Sequence, residues 1–146
     1  MEKLIVLGTG NALATRCYNT CFAIDDGEGN HLLVDAGGGN GILRQLEDAK
    51  IPLSSIHAMH VTHAHCDHIL GVVWMVRAIG TLIKGGNYQP PFDIITQAER
   101  IPEIVRICEI TLERKFTDLF GKEIRFIPLD DHVSKRVYGY EITFFD

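Results

Sequence analysis

The apolar residues of this chain fall into short runs punctuated by glycine, and the period of the runs changes along the sequence. KLIVLGTG is a continuous apolar run closed by Gly8-Thr9-Gly10, the pattern of a buried strand entering a tight turn. TCFAID and HLLVDAG are two further strand-like runs, and the turn-forming DGEGN between them predicts a hairpin. After Gly37-Gly38-Gly39-Asn40 the period becomes helical: Ile42, Leu43 and Leu46 share one face, so a short amphipathic helix begins near Asn40. SIHAMHVTHAHCDH then reads as a strand by its apolar content.

Residues 69–84 are apolar nearly all round, as in a helix buried on most of its surface, and Gly85-Gly86-Asn87 ends it. FDIIT is a strand. Pro102 suits the first turn of a helix that places Ile104, Ile107, Cys108 and Leu112 on one face. KEIRFIPL and VYGYEITFF alternate as strands. The order β-ββ-α-β-α-β-α-ββ predicts an α/β fold without internal repeat, linker or low-complexity region.

Composition narrows this picture. With 146 residues, 46% of them hydrophobic, the chain can bury one core and is short for two domains, so residues 1–146 read as one domain or part of one. The run at residues 69–83 carries Arg77 and falls short of the ~20 residues that span a bilayer; with no signal-peptide layout in MEKLIVLGTG, no membrane role and a cytoplasmic location are expected. Cys17, Cys21, Cys66 and Cys108 match neither a disulfide framework nor a paired zinc site, which predicts reduced thiols. A net charge of -5 gives no general attraction to polyanions.

The candidate chemistry sits in THAHCDH at residues 62–68. In an extended segment, positions i and i+2 point the same way, so His63 and His65 can present their imidazoles to one metal ion. Asp67 and His68 follow where strand gives way to helix and can address a second point close by. That arrangement suits a dinuclear hydrolase, with metals ~3.5 to 4 Å apart and a bridging water whose pKa falls toward ~7. The competing reading makes Asp67 a helix cap and the histidines structural.

His63-Ala64-His65-Cys66-Asp67-His68 resembles the H-x-H-x-D-H signature of the metallo-β-lactamase-fold hydrolases. Two further stretches support the likeness: Asp35 in LLVDAGGG, a strand-end aspartate followed by glycine-rich chain, and His132 in IPLDDHVSKRVYGYEI. The resemblance implies a metallo-β-lactamase-type αββα sandwich, of which this chain covers about the first half. It also implies that His63, His65 and His132 hold one Zn2+, that Asp67 and His68 belong to a second, and that Asp35 orients ligands. Asp67 doubles as the catalytic residue that orients or deprotonates the attacking water. Mn2+ and Fe2+ suit the same donors.

Within the family, Leu7-Gly8-Thr9-Gly10 and Gly139-Tyr140 resemble the ribonuclease Z-like branch, which implies phosphodiester cleavage, with RNA (precursor tRNA, at its 3′ side) or a small phosphodiester as partner. Where that branch carries a Gly-Glu-Gly-Thr-Gln type run, this chain has Ala36-Gly37-Gly38-Gly39-Asn40-Gly41, and no basic gripping arm is visible. A small-molecule ester, lactone, thioester or sulfate is therefore an alternative substrate class. A metal-binding but catalytically incomplete piece is a third reading, because no residue matches the family's later bridging aspartate and final histidine. Half of such a sandwich leaves one sheet face uncovered, which predicts a homodimer or a longer product whose C-terminal half covers it.

The remaining features have plainer expectations. The glycines at 8, 10 and 37–41 lack the Lys-Ser/Thr of a P-loop, so close backbone packing explains them. Cys66 is expected to be a small buried filler, His57 and His60 hydrogen-bonded, and His31 solvent-exposed at a turn. Trp74 and Met75 are expected in the core. Arg114-Lys115 and Lys135-Arg136 are expected on a solvated surface, available to phosphates if RNA is the substrate.

Overall fold

In the computed structural model, residues 1–137 and 139–143 are described. Six strands form one sheet in the order β1 (Lys3–Gly8), β2 (Cys21–Asp25), β3 (His31–Val34), β4 (Ile56–His60), β5 (Phe92–Gln97) and β6 (Ile124–Leu129). The first three pair antiparallel and β3 to β6 pair parallel. Between the parallel strands run α1 (Gly41–Asp48), α2 (Cys66–Lys84), then α3 (Ile101–Thr111) followed by the single turn α4 (Arg114–Thr117). Each crossover steps one strand in the same direction, and a constant hand then places the helices on one face of the sheet.

That helical face is complete. Leu33, Met59, Phe92, Ile94 and Ile124 from the strands meet Ile42, Leu46, Val72, Met75, Ile79 and Ile104 from the helices in one cluster. Side chains of this size each contribute about 1.5–3 kcal/mol on burial. α2 begins earlier than its apolar run, at Cys66, and its 19 residues are long and apolar enough for a membrane span by length and composition. Here its Ile69, Val72, Met75, Val76 and Ile79 face is buried on the sheet. Gly86, at φ 73, closes the helix as Asn87 N–H donates to the Leu82 carbonyl at 2.9 Å.

The opposite face is only part-covered. Alternation places Phe22, Ile24, Leu32, Val34, Ala58, Ile95 and Leu129 there, under a hairpin of β7 (Ser134–Val137) and β8 (Tyr140–Thr143) that contributes Val137 and Ile142. The run VYGYEITFF is thus not one strand: β7 ends at Val137 and β8 starts at Tyr140, with Gly139 at φ 84 between them. Its Tyr138, Phe144 and Phe145 lie outside the described residues. β1 is an edge strand rather than a buried one, and its Leu4 and Val6 stay 64% and 58% exposed beyond the hairpin.

Candidate metal centre

Parallel strands deliver their C-terminal ends to one edge of the sheet, the usual place for a site in such a fold. β3 delivers Asp35, β4 delivers the segment 61–65, and α2 starts from His65, whose extended backbone (φ -71, ψ 149) turns the chain into the helix. Asp35 is buried and holds φ 56, a left-handed conformation that aspartate tolerates better than most residues. Its carboxylate accepts three hydrogen bonds: Thr62 N–H at 2.8 Å, Thr62 Oγ1–H at 2.6 Å and His68 Nδ1–H at 2.8 Å. With three of its roughly four acceptor positions engaged, Asp35 is built to hold neighbours in place.

The Thr62 hydroxyl has one proton, and it goes to the carboxylate. The contact of 2.9 Å between Thr62 Oγ1 and His63 Nδ1 then requires the imidazole to donate, which leaves Nε2 of His63 with a free lone pair. The same logic at Asp35 leaves Nε2 of His68 free. Two imidazoles are therefore locked into the tautomer that binds a metal through Nε2. Their ring centroids lie 4.1 Å apart, and His63 also meets the His65 ring at 4.6 Å. Partial burial first, and then neighbouring His68, hold His63 below the ordinary histidine pKa and favour its neutral, ligating form.

Asp67 lies in the first turn of α2 without capping it: no side-chain cap bond is made at this helix start, and Asp67 Oδ2 sits 3.5 Å from His68 Nε2. The candidate atoms of Asp35, His63 and His68 all fall within 4.8 Å of one another, with His65 and Asp67 beside them. His132 is outside that group. It occupies the exposed turn after β6 at φ 62, on the same sheet edge but two strands from β4. These residues fit a zinc-type ion: neutral imidazoles with fixed Nδ1 protons and a carboxylate at their open side.

The glycines behave as packing residues. A Cβ on Gly71 of α2 would overlap the Ala36 carbonyl, and Gly71 N–H donates to the Gly37 carbonyl at 2.8 Å, so the helix carrying His68 lies directly on the loop after Asp35. Sequence reasoning missed the residue that shapes this loop. The Tyr18 hydroxyl sits 2.8 Å from both the Ala36 and Gly39 carbonyls and accepts the Gly39 N–H at 3.3 Å, while its ring leaves no space for a Cβ at Gly37 or Gly41. Burial raises the Tyr18 pKa, so the hydroxyl keeps its proton. Asn19 adds an acceptor for Gly38 N–H at 3.0 Å. Nothing in RCYNT signals this role, because the partners are backbone atoms of a distant loop.

Several expectations need correction. Cys66 is exposed, since the first residue of α2 points outward; Cys21 and Cys108 are the buried thiols, and desolvation pushes both to about 12. His31 is buried, not exposed, with Nδ1 2.8 Å from Ser55 Oγ, because it starts β3 instead of ending a turn. Trp74 is 37% exposed, whereas Met75 is fully in the core. His60 is hydrogen-bonded as expected, with Nδ1–H donating to the Ile95 carbonyl at 2.9 Å, and His57 packs on Tyr88 at 4.9 Å.

A family model described as Anti-Pycsar protein Apyc1 matches residues 2–81, more than half of the chain. An anti-Pycsar protein Apyc1 of Bacillus phage BSP38 is 39% identical over 70 residues, 48% of this chain and 27% of that protein. The ribonuclease Z of Methanosarcina mazei is 35% identical over 82 residues, 56% of this chain and 26% of that one. Among solved structures, the metallo-β-lactamase fold protein YhfI of Bacillus subtilis superposes with a TM-score of 0.73 at 19% identity, over 97% of this chain and 52% of that chain. The fold is thus the metallo-β-lactamase fold, ribonuclease Z-like in sequence. The chain spans about half of that solved structure, and the matched segments span about a quarter of the two curated relatives.

Proposed function

The chain belongs to the family described as Anti-Pycsar protein Apyc1, and on that premise we propose that it is a metal-dependent hydrolase of phosphodiesters. The observation that carries this reading is the pair His63 and His68, both fixed through Nδ1 by Thr62 and Asp35 so that Nε2 faces outward. In this reading His63, His65, Asp67 and His68 hold the metal, and His132 completes the set from the β6 end. When bound, zinc supplies Lewis acidity toward a phosphoryl oxygen and acidifies water. Asp35 and Thr62 keep the imidazoles aligned throughout. Asp67, with its carboxylate 3.5 Å from His68 Nε2, takes up the proton of the attacking water.

The charge pattern favours a small phosphodiester over a long RNA. Arg44, Arg100, Arg106, Arg114 and Arg125 each have a carboxylate within 4 Å, and Arg77 and Lys115 share Glu113, so most of the arginines are offset by a neighbouring carboxylate. The relatives named ribonuclease Z support phosphodiester chemistry as such. A second reading, metal binding without turnover, draws on His132 standing outside the cluster. The uncovered Leu4 and Val6 face belongs in either case against a second copy or a C-terminal half.

Elemental analysis of zinc-dialysed protein, beside a His63→Ala, His68→Ala control, tests the site. Bound zinc that the control loses, with hydrolysis of bis(p-nitrophenyl) phosphate, supports the hydrolase. Zinc without hydrolysis selects the second reading, and equal zinc in the control overturns both.

A further inference from the structure

The metal centre occupies the C-terminal ends of the parallel strands, and a second cavity lies at their other end. It measures about 350 Å³ and sits between the starts of β4 and β5 and the β7–β8 hairpin. His57, Ala58 and Asp93 line it from the sheet, and Lys135, Arg136 and Val137 from the hairpin. That volume is in the range of small-molecule sites.

Its charges are unevenly matched. Among the described residues neither Lys135 nor Arg136 has a carboxylate within 4 Å, whereas six other arginines do. Alternation places half-buried Lys135 on the side of β7 that Val137 turns to the sheet, and exposed Arg136 on the outer side. Glu141 faces Arg136 across the hairpin without forming an ion pair with it. The one carboxylate in the cavity is already engaged: Asp93 accepts Arg125 Nε–H at 2.7 Å and Nη2–H at 2.8 Å, one on each oxygen. Such a bidentate pair satisfies both partners, so three cations stand against one carboxylate here.

The walls strengthen that surplus. Ala58 and Val137 belong to the apolar cluster on this face of the sheet, and the His57 ring packs on Tyr88 with centroids 4.9 Å apart. A cation beside an apolar floor holds an anion more firmly than one on open surface.

We infer that this cavity binds a small anion of the phosphate class, remote from the metal centre, with Lys135 and Arg136 as its cationic side. The occupant is free phosphate or the phosphate group of a small ester; enclosed between hairpin and sheet, the space suits a single group and not a strand of RNA. β7 begins two residues after His132, so an anion shared by hairpin and sheet also steadies the segment that this turn feeds. None of this depends on the hydrolase reading.

The test is calorimetric titration of chelator-treated protein, at constant ionic strength, with sodium phosphate and with ribose 5-phosphate. The wild type is compared with the double variant Lys135→Gln, Arg136→Gln, with Arg136→Gln alone, and with Lys50→Gln, Lys84→Gln, which removes the same charge from the helical layer. Saturable binding of one anion per chain is expected in the wild type. The half-saturation should rise at least about tenfold in the hairpin double variant, equal to 1.4 kcal/mol, about threefold in Arg136→Gln, and less than about twofold in the helical-layer variant. Arg136 is exposed, so its single variant reports the site even where the double variant folds poorly. Tighter binding of ribose 5-phosphate makes an ester the occupant, and tighter binding of phosphate the free ion. No saturable binding of either anion overturns the inference, as does equal weakening in the hairpin and helical-layer variants.

Discussion

The two ends of the candidate site are built differently. At the β3–β4 end, one carboxylate and one hydroxyl fix two imidazoles through hydrogen bonds of 2.6 to 2.9 Å, with Gly71 and Tyr18 clamping the loop behind them. At the β6 end, His132 rides on an exposed turn at φ 62. The difference teaches that preorganisation is local. Neighbouring strand ends and the helix that starts between them align His63 and His68, whereas a ligand arriving from two strands away depends on what else packs on its turn.

The hardest blow to this contrast is Asp35→Ala. It strips three donors of their acceptor in a buried place, so unfolding in urea should show a loss of about 3 kcal/mol, and zinc affinity should fall roughly 10- to 100-fold. Wild-type zinc binding in that variant would mean the carboxylate does not align the ligands. Comparing two single variants sharpens the point further. His63→Ala should weaken zinc by more than about 100-fold, and His132→Ala by only about tenfold, since an unfixed ligand returns less of its binding energy. Equal losses in calorimetry would erase the distinction between the two ends.

Gly71→Ala addresses the clamp. The added methyl meets the Ala36 carbonyl and should lower stability by about 2 kcal/mol in thermal or urea unfolding, with His68 displaced. The smallest effect concerns pH. Burial lowers the pKa of His60 below 6.5, so its contribution to stability is complete above that value and is lost as pH falls, because the unfolded chain then takes up the proton more readily. In metal-free buffer the midpoint of melting should drop between pH 7 and 5, with a shallower slope in His60→Gln. A slope that stays the same removes His60 as the cause.

Most of the fold was readable because period and punctuation agree along the chain. The β2–β3 hairpin, α1 and the strand feeding the histidines all follow from alternation, helical spacing and glycine. The metal-type residues were readable too, since i and i+2 in extended chain and a strand-to-helix handover bring His63, His65 and His68 together. What escaped depends on contacts between distant segments. Tyr18 acts on carbonyls eighteen and twenty-one positions away, and its neighbours RCYNT carry no periodic signal. Trp74 was expected in the core because a helix that is apolar all round does not reveal which side the sheet will take. The split of the last run into β7 and β8 turned on Gly139 at φ 84, a backbone choice that an alternating pattern masks.

α2 joins three tasks in one rigid rod: its first turn carries Asp67 and His68, its inner face is core, and its outer stripe ends at Trp74. Since a helix advances about 1.5 Å per residue, the spacing along its axis from the candidate ligands of the first turn to Trp74 is a fixed gauge length. Moving the tryptophan to position 70 or 77 shortens or lengthens the gauge by about 4 to 6 Å, while Asp67 and His68 stay where they are.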